Sequence, residues 1–199
     1  MLGLDPVASK SEDKRQQIVD AATVLFNRYG YKRTSIELLA RAANVAKPTI
    51  YAYFEDKEAI FRAVVTAVCD ELLAAAERAL EMPGSLEQRL AAMLTAKFTR
   101  YWELVQASPH AQELIDSQGA LGAEIVQRLD RAYLALLVGA LDDARGEIDP
   151  QRVGLTSSAA AQLLMRAASG VAYDATSGSG HRKHLAELVR VIVAGMRRR

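Results

Sequence analysis

The chain has 199 residues, 50% of them hydrophobic, with 25 basic against 24 acidic side chains and a formal charge of +1. That length holds one large or two small domains, and the apolar share is enough for a core that needs neither metals nor disulfides. The single cysteine, Cys69, excludes an intramolecular disulfide and fits a reducing cytoplasm; within the helical run from Ala63 to Ala79 it reads as a buried, inert thiol.

The N-terminus lacks the charged-then-apolar order of a signal peptide, and no apolar run approaches the ~20 residues that span a bilayer. A soluble, cytoplasmic protein with no membrane partner is expected. Residues 1–10 mix Gly, Pro, Ser and charge and read as a flexible arm. Ser11-Glu12-Asp13 then opens a helix whose buried face is Ile18, Ala22, Leu25, Phe26 and Tyr29, with Gly30 as its stop.

Thr34-Ser35-Ile36-Glu37 fits a capping box in which Thr34 accepts from the amide of Glu37. Ile36, Leu39, Ala40 and Ala43 recur behind it at helical spacing, and Asn44, tolerant of left-handed backbone, stands where the chain must reverse. Lys47-Pro48 opens a second short helix carrying Thr49, Tyr51 and Tyr53. A short helix, a tight turn and a second helix with basic and hydroxyl groups form the helix-turn-helix arrangement that enters a DNA major groove. Arg28, Lys32, Arg33, Arg41 and Lys47 against Glu37 alone give this region a local positive charge.

Asp56 is a good N-cap for a fourth helix that runs to about Leu80 and ends at Met82-Pro83-Gly84. Ser85-x-x-Gln88 is a second capping box, opening a long helix through Leu90, Leu94, Phe98, Tyr101, Trp102 and Val105. Ser108-Pro109 ends it, a short helix follows over His110 to Ser117, and apolar positions from Leu121 to Leu141 carry a helix about 24 residues, or ~36 Å, long that Gly146 closes. Asp149-Pro150 is expected to start a helix reaching Ala175, Thr176 to Gly180 to be loop, and His181 to Met196 to form the last helix. No alternating strand pattern is present. The fold class is all-α, with about nine helices.

Thr34-Ser35, Leu39-Ala40, Ala43-Asn44-Val45, Lys47-Pro48-Thr49-Ile50-Tyr51-x-Tyr53-Phe54 and Asp56-Lys57-Glu58 together resemble the signature of the tetracycline-repressor (TetR) family. The likeness covers roughly residues 12 to 62; beyond them it is one of helical layout and length. Asn44 replaces the usual Gly and Ala46 the usual capping Ser or Thr, the latter a loss of about 1 kcal/mol. The resemblance implies a three-helix DNA-binding domain over residues 11–57, a helical domain over 58–199 that encloses an effector pocket, and dimerisation through the last two long helices. The partners would be a palindromic double-stranded operator, a second copy of the chain and a small apolar or aromatic effector, with no cofactor.

Within the helix-turn-helix, Lys47, Pro48 and Tyr51 are placed to reach base edges, although Tyr51 has a rival place in the core beside Phe54. Ser35, Thr49, Tyr53 and Lys57 are expected on phosphates, supported by the Thr34 cap. Phe98, Trp102, His110, Tyr133 and Met165 are the candidate effector-site residues, set against the plainer reading of a helical core. Leu163, Ala167, Val171, Leu185, Val189 and Ile192 belong to a broad apolar surface with many small neighbours, more than one core-facing stripe needs, and are the candidate dimer interface. No GxSxG, Walker, GxGxxG or HExxH pattern occurs, and His181-x-x-His184, with no acidic neighbour, reads as solvated loop rather than metal site. The sequence therefore points to a ligand-responsive repressor and not an enzyme. A DNA-binding architectural protein without an effector, or a helical enzyme that kept a DNA-binding domain, are the alternatives.

Overall fold

The computed structural model describes residues 6–107, 123–173 and 178–198. Its helices are α1 (Pro6–Tyr29), α2 (Ile36–Ala42), α3 (Lys47–Tyr53), α4 (Lys57–Glu81), α5 (Leu86–Ala107), α6 (Ala123–Asp143), a single 3-10 turn (Pro150–Val153), α7 (Ser157–Tyr173) and α8 (Gly178–Met196). No strand is present among the described residues, only an isolated bridge between Ile148 and Arg197. The all-α class is as the sequence indicates. None of the described helices is long and apolar enough to cross a membrane.

The chain divides into two compact units, one drawn from Met1–Val68 and Leu104–Val126, the other from Cys69–Glu103 and Gln127–Arg199. In the first, Ile18, Val19, Ala22 and Phe26 of α1, Leu39 and Ala40 of α2, Ile50 of α3 and Ile60 and Phe61 of α4 are buried. Phe26, Tyr31 and Phe61 form an aromatic trio, with centroids 5.6 Å apart for Phe26–Tyr31 and 5.0 Å for Tyr31–Phe61, both edge-to-face. Tyr29 is 38% exposed and not part of this face. Helix α1 begins at Pro6, inside the expected arm, because proline's fixed φ suits a first helical turn.

In the second unit, Leu90, Met93 and Leu94 of α5, Tyr133, Leu137 and Leu141 of α6, Ala160, Leu164 and Ala168 of α7 and Leu185, Val189 and Val193 of α8 are buried. The Ser85–Gln88 capping box forms reciprocally, with the Gln88 amide donating to Ser85 Oγ at 3.3 Å and the Ser85 amide to Gln88 Oε1 at 2.9 Å. The Asp149-Pro150 pair caps only the 3-10 turn. Gly154, at φ 73, ends that turn, and Thr156 Oγ1 accepts the Ala159 amide at 3.1 Å to start α7 afresh. At the other end α8 starts at Gly178, so the expected loop over 176–180 is partly helix. The expected short helix from His110 to Ser117 lies outside the described residues.

Candidate nucleic-acid interface and effector region

Helix α3 follows a turn closed by specific backbone bonds. Asn44 has φ 49, the one non-glycine residue among those described with positive φ. Around it the Val45 amide donates to the Ala40 carbonyl at 2.9 Å and the Asn44 amide to the Arg41 carbonyl at 3.2 Å. This is a Schellman motif with asparagine in the left-handed position, which explains why a residue other than glycine serves there. Gln17 of α1 donates from its side chain to the Ala43 carbonyl at 2.8 Å, fixing the end of α2 against α1. Helix α3 then starts with Ala46 as an N-cap that makes no side-chain bond and with Pro48 in its first turn, as its sequence implies.

The capping box before α2 falls one residue later than expected. Ser35 is the N-cap, its Oγ accepting the Leu38 amide at 3.2 Å. Thr34 is fully buried, and its hydroxyl donates to the Gly30 carbonyl at 2.8 Å. A hydroxyl so enclosed reaches no phosphate, so Thr34 holds the loop between α1 and α2 and leaves the DNA-facing set. The Ser35 hydroxyl, which accepts in the cap, donates to the Glu37 carboxylate, so a phosphate has to compete for its proton.

On α3, Ile50 is fully buried while Tyr51 is 49% exposed, Lys47 and Pro48 are exposed, and Thr49 and Tyr53 are half-buried. The rival core place for Tyr51 is therefore excluded; Phe54 fills it, 4% exposed beneath the Arg15 guanidinium at 5.1 Å. Lys57 departs from its expected role. Its ammonium donates to the carbonyls of Tyr31 at 3.0 Å and Thr34 at 3.1 Å and lies 4.4 Å from the Tyr31 ring centroid. A cation so placed is a clamp across the chain entering α2, and a phosphate has to compete with carbonyls for it. Periodicity carries no sign of such a contact, because the acceptors are backbone atoms of a loop.

In the second unit the structure brings Phe98, Tyr133 and Met165 together around Lys97, a residue the sequence reading passed over. The Lys97 ammonium lies 5.6 Å from the Phe98 ring centroid, 4.8 Å from that of Tyr133 and 3.9 Å from Met165 Sδ. It is ion-paired to Asp130, and the two side chains are 13% and 51% exposed respectively. The Tyr133 hydroxyl donates to the Leu72 carbonyl at 2.9 Å, and burial pushes its pKa up. Cys69 is buried, with burial raising its thiol to about 11, which is inert. Trp102 lies in α5, but its side chain and the whole of His110 fall outside the described residues. Among the described residues no group of three His, Cys, Asp or Glu side chains is placed to hold a metal ion. His181 is helical and fully buried while His184 is exposed, which corrects the solvated-loop reading of that pair.

Of the candidate interface residues, Leu163 is 45% exposed and Ala167, Val171 and Ile192 are partly exposed. Leu185 and Val189 are fully buried between α8 and the chain's own core and are not available to a partner. Helical spacing alone does not distinguish the two sides of α8, since both carry apolar residues; Val191, at 68% exposure, belongs on the outer side.

The fold and this surface define a helix-turn-helix DNA-binding protein. The family profile of bacterial regulatory proteins of the tetR family matches residues 18–64. The chain is 28% identical over 155 residues to the uncharacterized HTH-type transcriptional regulator YhgD of Bacillus subtilis, covering 74% of this chain and 78% of that one. It is 44% identical over 59 residues to the regulator HbdR of Aromatoleum, a match that spans 30% of this chain and 26% of HbdR. Among solved structures, the regulator FadR of Bacillus subtilis in complex with stearoyl-CoA shares the fold at a TM-score of 0.64 and 22% identity, covering 91% of this chain and 98% of that one. Residues 18–64 thus carry the DNA-binding domain of the tetR family of bacterial regulatory proteins, and the rest of the chain shares the helical layout of such regulators.

Proposed function

We propose that the chain is a cytoplasmic, homodimeric repressor that binds a palindromic operator through α3 and leaves it when a small effector occupies its C-terminal unit. The observation that carries this reading is the outward presentation of Lys47, Pro48 and Tyr51 on a helix whose entry turn is fixed by the Schellman motif and the Gln17–Ala43 bond. Lys47 donates to guanine O6 or N7, while Pro48 and Tyr51 pack on thymine methyl groups. Ser35, Thr49 and Tyr53 bond phosphates and set register, and Lys57 and Thr34 hold the scaffold. Selection of bound sequences from random duplex DNA tests this reading. Two inverted half-sites about one helical turn apart, or a multiple of it, are expected; an asymmetric or featureless selection overturns it.

Dimerisation is supported by the outward apolar residues Leu163, Ala167, Val171, Val191 and Ile192 on α7 and α8. Because Leu163 is exposed within the subunit, Leu163→Asp should leave the fold intact yet give a monomer in sedimentation. A wild-type monomer at micromolar concentration contradicts the assembly.

The effector region is supported by the convergence of Phe98, Tyr133 and Met165 on Lys97, and by the ligand named in the FadR complex. An effector that favours the dimer geometry in which the two α3 helices miss their half-sites lowers DNA affinity by linkage. The tight packing of Phe98 and the full burial of Tyr133 favour a second reading, a DNA-binding protein with a solid C-terminal core and no effector. Thermal-shift titration with matched apolar carboxylates, alcohols and amines separates the two. Stabilisation that Lys97→Met diminishes supports the effector, and no shift from any compound supports the second reading.

A further inference from the structure

The DNA-reading surface contains one carboxylate that the proposed contacts leave without a part. Glu37, in the first turn of α2, is ion-paired to Lys47, the first residue of α3. The two side chains are 60% and 48% exposed, so the pair stands at the surface rather than in the core. The bond from Lys47 draws the Glu37 carboxyl down to about 2, and the pair is ionised at every pH at which duplex binding is measured. An anion beside a base-reading lysine weakens attraction to a polyanion and contributes little to stability at such exposure. The carboxylate also takes a bond from Ser35 at the start of α2, and its pairing with Lys47 adds a role in selectivity.

We propose that Glu37 is a specificity-determining residue that turns Lys47 away from phosphates and towards guanine. The inference rests on the reading of α3 as the major-groove helix. An ammonium has three donors, and Glu37 takes one of them. The other two can reach guanine O6 and N7, which are neutral acceptors and bring no new charge to the carboxylate. A phosphate in the same seat places a second anion beside Glu37, and like charges within a few ångström repel. Because phosphate contacts supply nearly all non-specific affinity, the carboxylate lowers binding to arbitrary duplexes more than binding to the operator. Lys47 without Glu37 becomes an ordinary phosphate hook.

The test is a comparison of Glu37→Gln, Lys47→Ala and the double variant, in the full-length protein, against the selected operator and a scrambled duplex across a salt series. Glu37→Gln should tighten the scrambled duplex about three- to tenfold, steepen its salt slope by about one per subunit, and lower the operator-to-scrambled ratio by a similar factor. With Lys47 already replaced by Ala, adding Glu37→Gln should leave that ratio unchanged. A ratio unaffected by Glu37→Gln overturns the proposal, as does an effect equally large without Lys47, which would make the carboxylate a general repeller. If the wild type itself fails to discriminate between the duplexes, the reading of α3 fails, and the proposal falls with it.

Discussion

The two units are held together in different ways. In the first, the elements are short and their placement depends on individual polar bonds to named backbone atoms: Gln17 to Ala43, Thr34 to Gly30, Lys57 to Tyr31 and Thr34, Asp56 to Ala59 at 2.7 Å. In the second, α5 to α8 are long and bury apolar residues turn after turn, with Lys97 and His181 as polar intrusions. A two-turn helix buries too little surface to fix its own orientation. A DNA-reading unit needs that orientation fixed, and directional bonds supply it. A helix of five or six turns is fixed largely by buried area, and a paired cation is tolerated within its bundle.

The largest expected effect probes the small core under the polar scaffold. Phe26 is 1% exposed and touches both Tyr31 and Phe61, so Phe26→Ala should cost about 3–5 kcal/mol, read by denaturant unfolding. A loss below about 1 kcal/mol would mean that the polar bonds alone hold the first unit. Next comes the clamp. Lys57→Met keeps the stem and removes the donors to the Tyr31, Lys32 and Thr34 carbonyls, at about 1.5–3 kcal/mol, and should weaken all duplexes alike through a loosened α2 entry. Melting unchanged, with only the salt slope reduced, would return Lys57 to the phosphates.

A smaller gain is available where the scaffold lacks a bond. Ala46 caps α3 with no side-chain contact, so Ala46→Ser should raise stability by about 1 kcal/mol. The smallest effect lies in the second unit. His181 is fully buried, with the Val171 backbone as the one polar group that favours its charged form. Burial, aided by His184 and Arg182, depresses its pKa below 6.5. The unfolded chain therefore takes up a proton first as pH falls. The stability tied to neutral His181 is complete above about pH 6.5 and is lost below it, through the lowered pKa of the folded state. Melting temperature should fall less between pH 7 and pH 5 in His181→Leu than in the wild type; parallel curves would contradict this.

The contrast also explains what the sequence disclosed. Caps, the Asn44 turn and Pro48 are local signals, so α2 and α3, which they bound, are legible almost residue by residue, whereas the start of α1 at Pro6 is not. The capping register at Thr34 and Ser35 slipped because both residues suit an N-cap, and only the buried Gly30 carbonyl decides which one turns inward. Apolar spacing identified α5 to α8 but not which side of α8 faces the chain's own core, hence the misplacement of Leu185 and Val189. Lys97 was hidden for a related reason. A lysine in a helical pattern reads as solvent-facing until the rings of Phe98 and Tyr133 are found beside its ammonium.

The central claim is that α3 reads bases from the surface carrying Lys47, on a scaffold that Lys57 helps to hold. The most direct test is titration of Lys47→Ala and the wild type against the operator and a set of single-position operator variants at fixed salt. The account predicts that Lys47→Ala loses about 1–3 kcal/mol on the operator and loses preference at one position of each half-site, with every other position read as before. A uniform loss across all variants, with that position still discriminated, would contradict it.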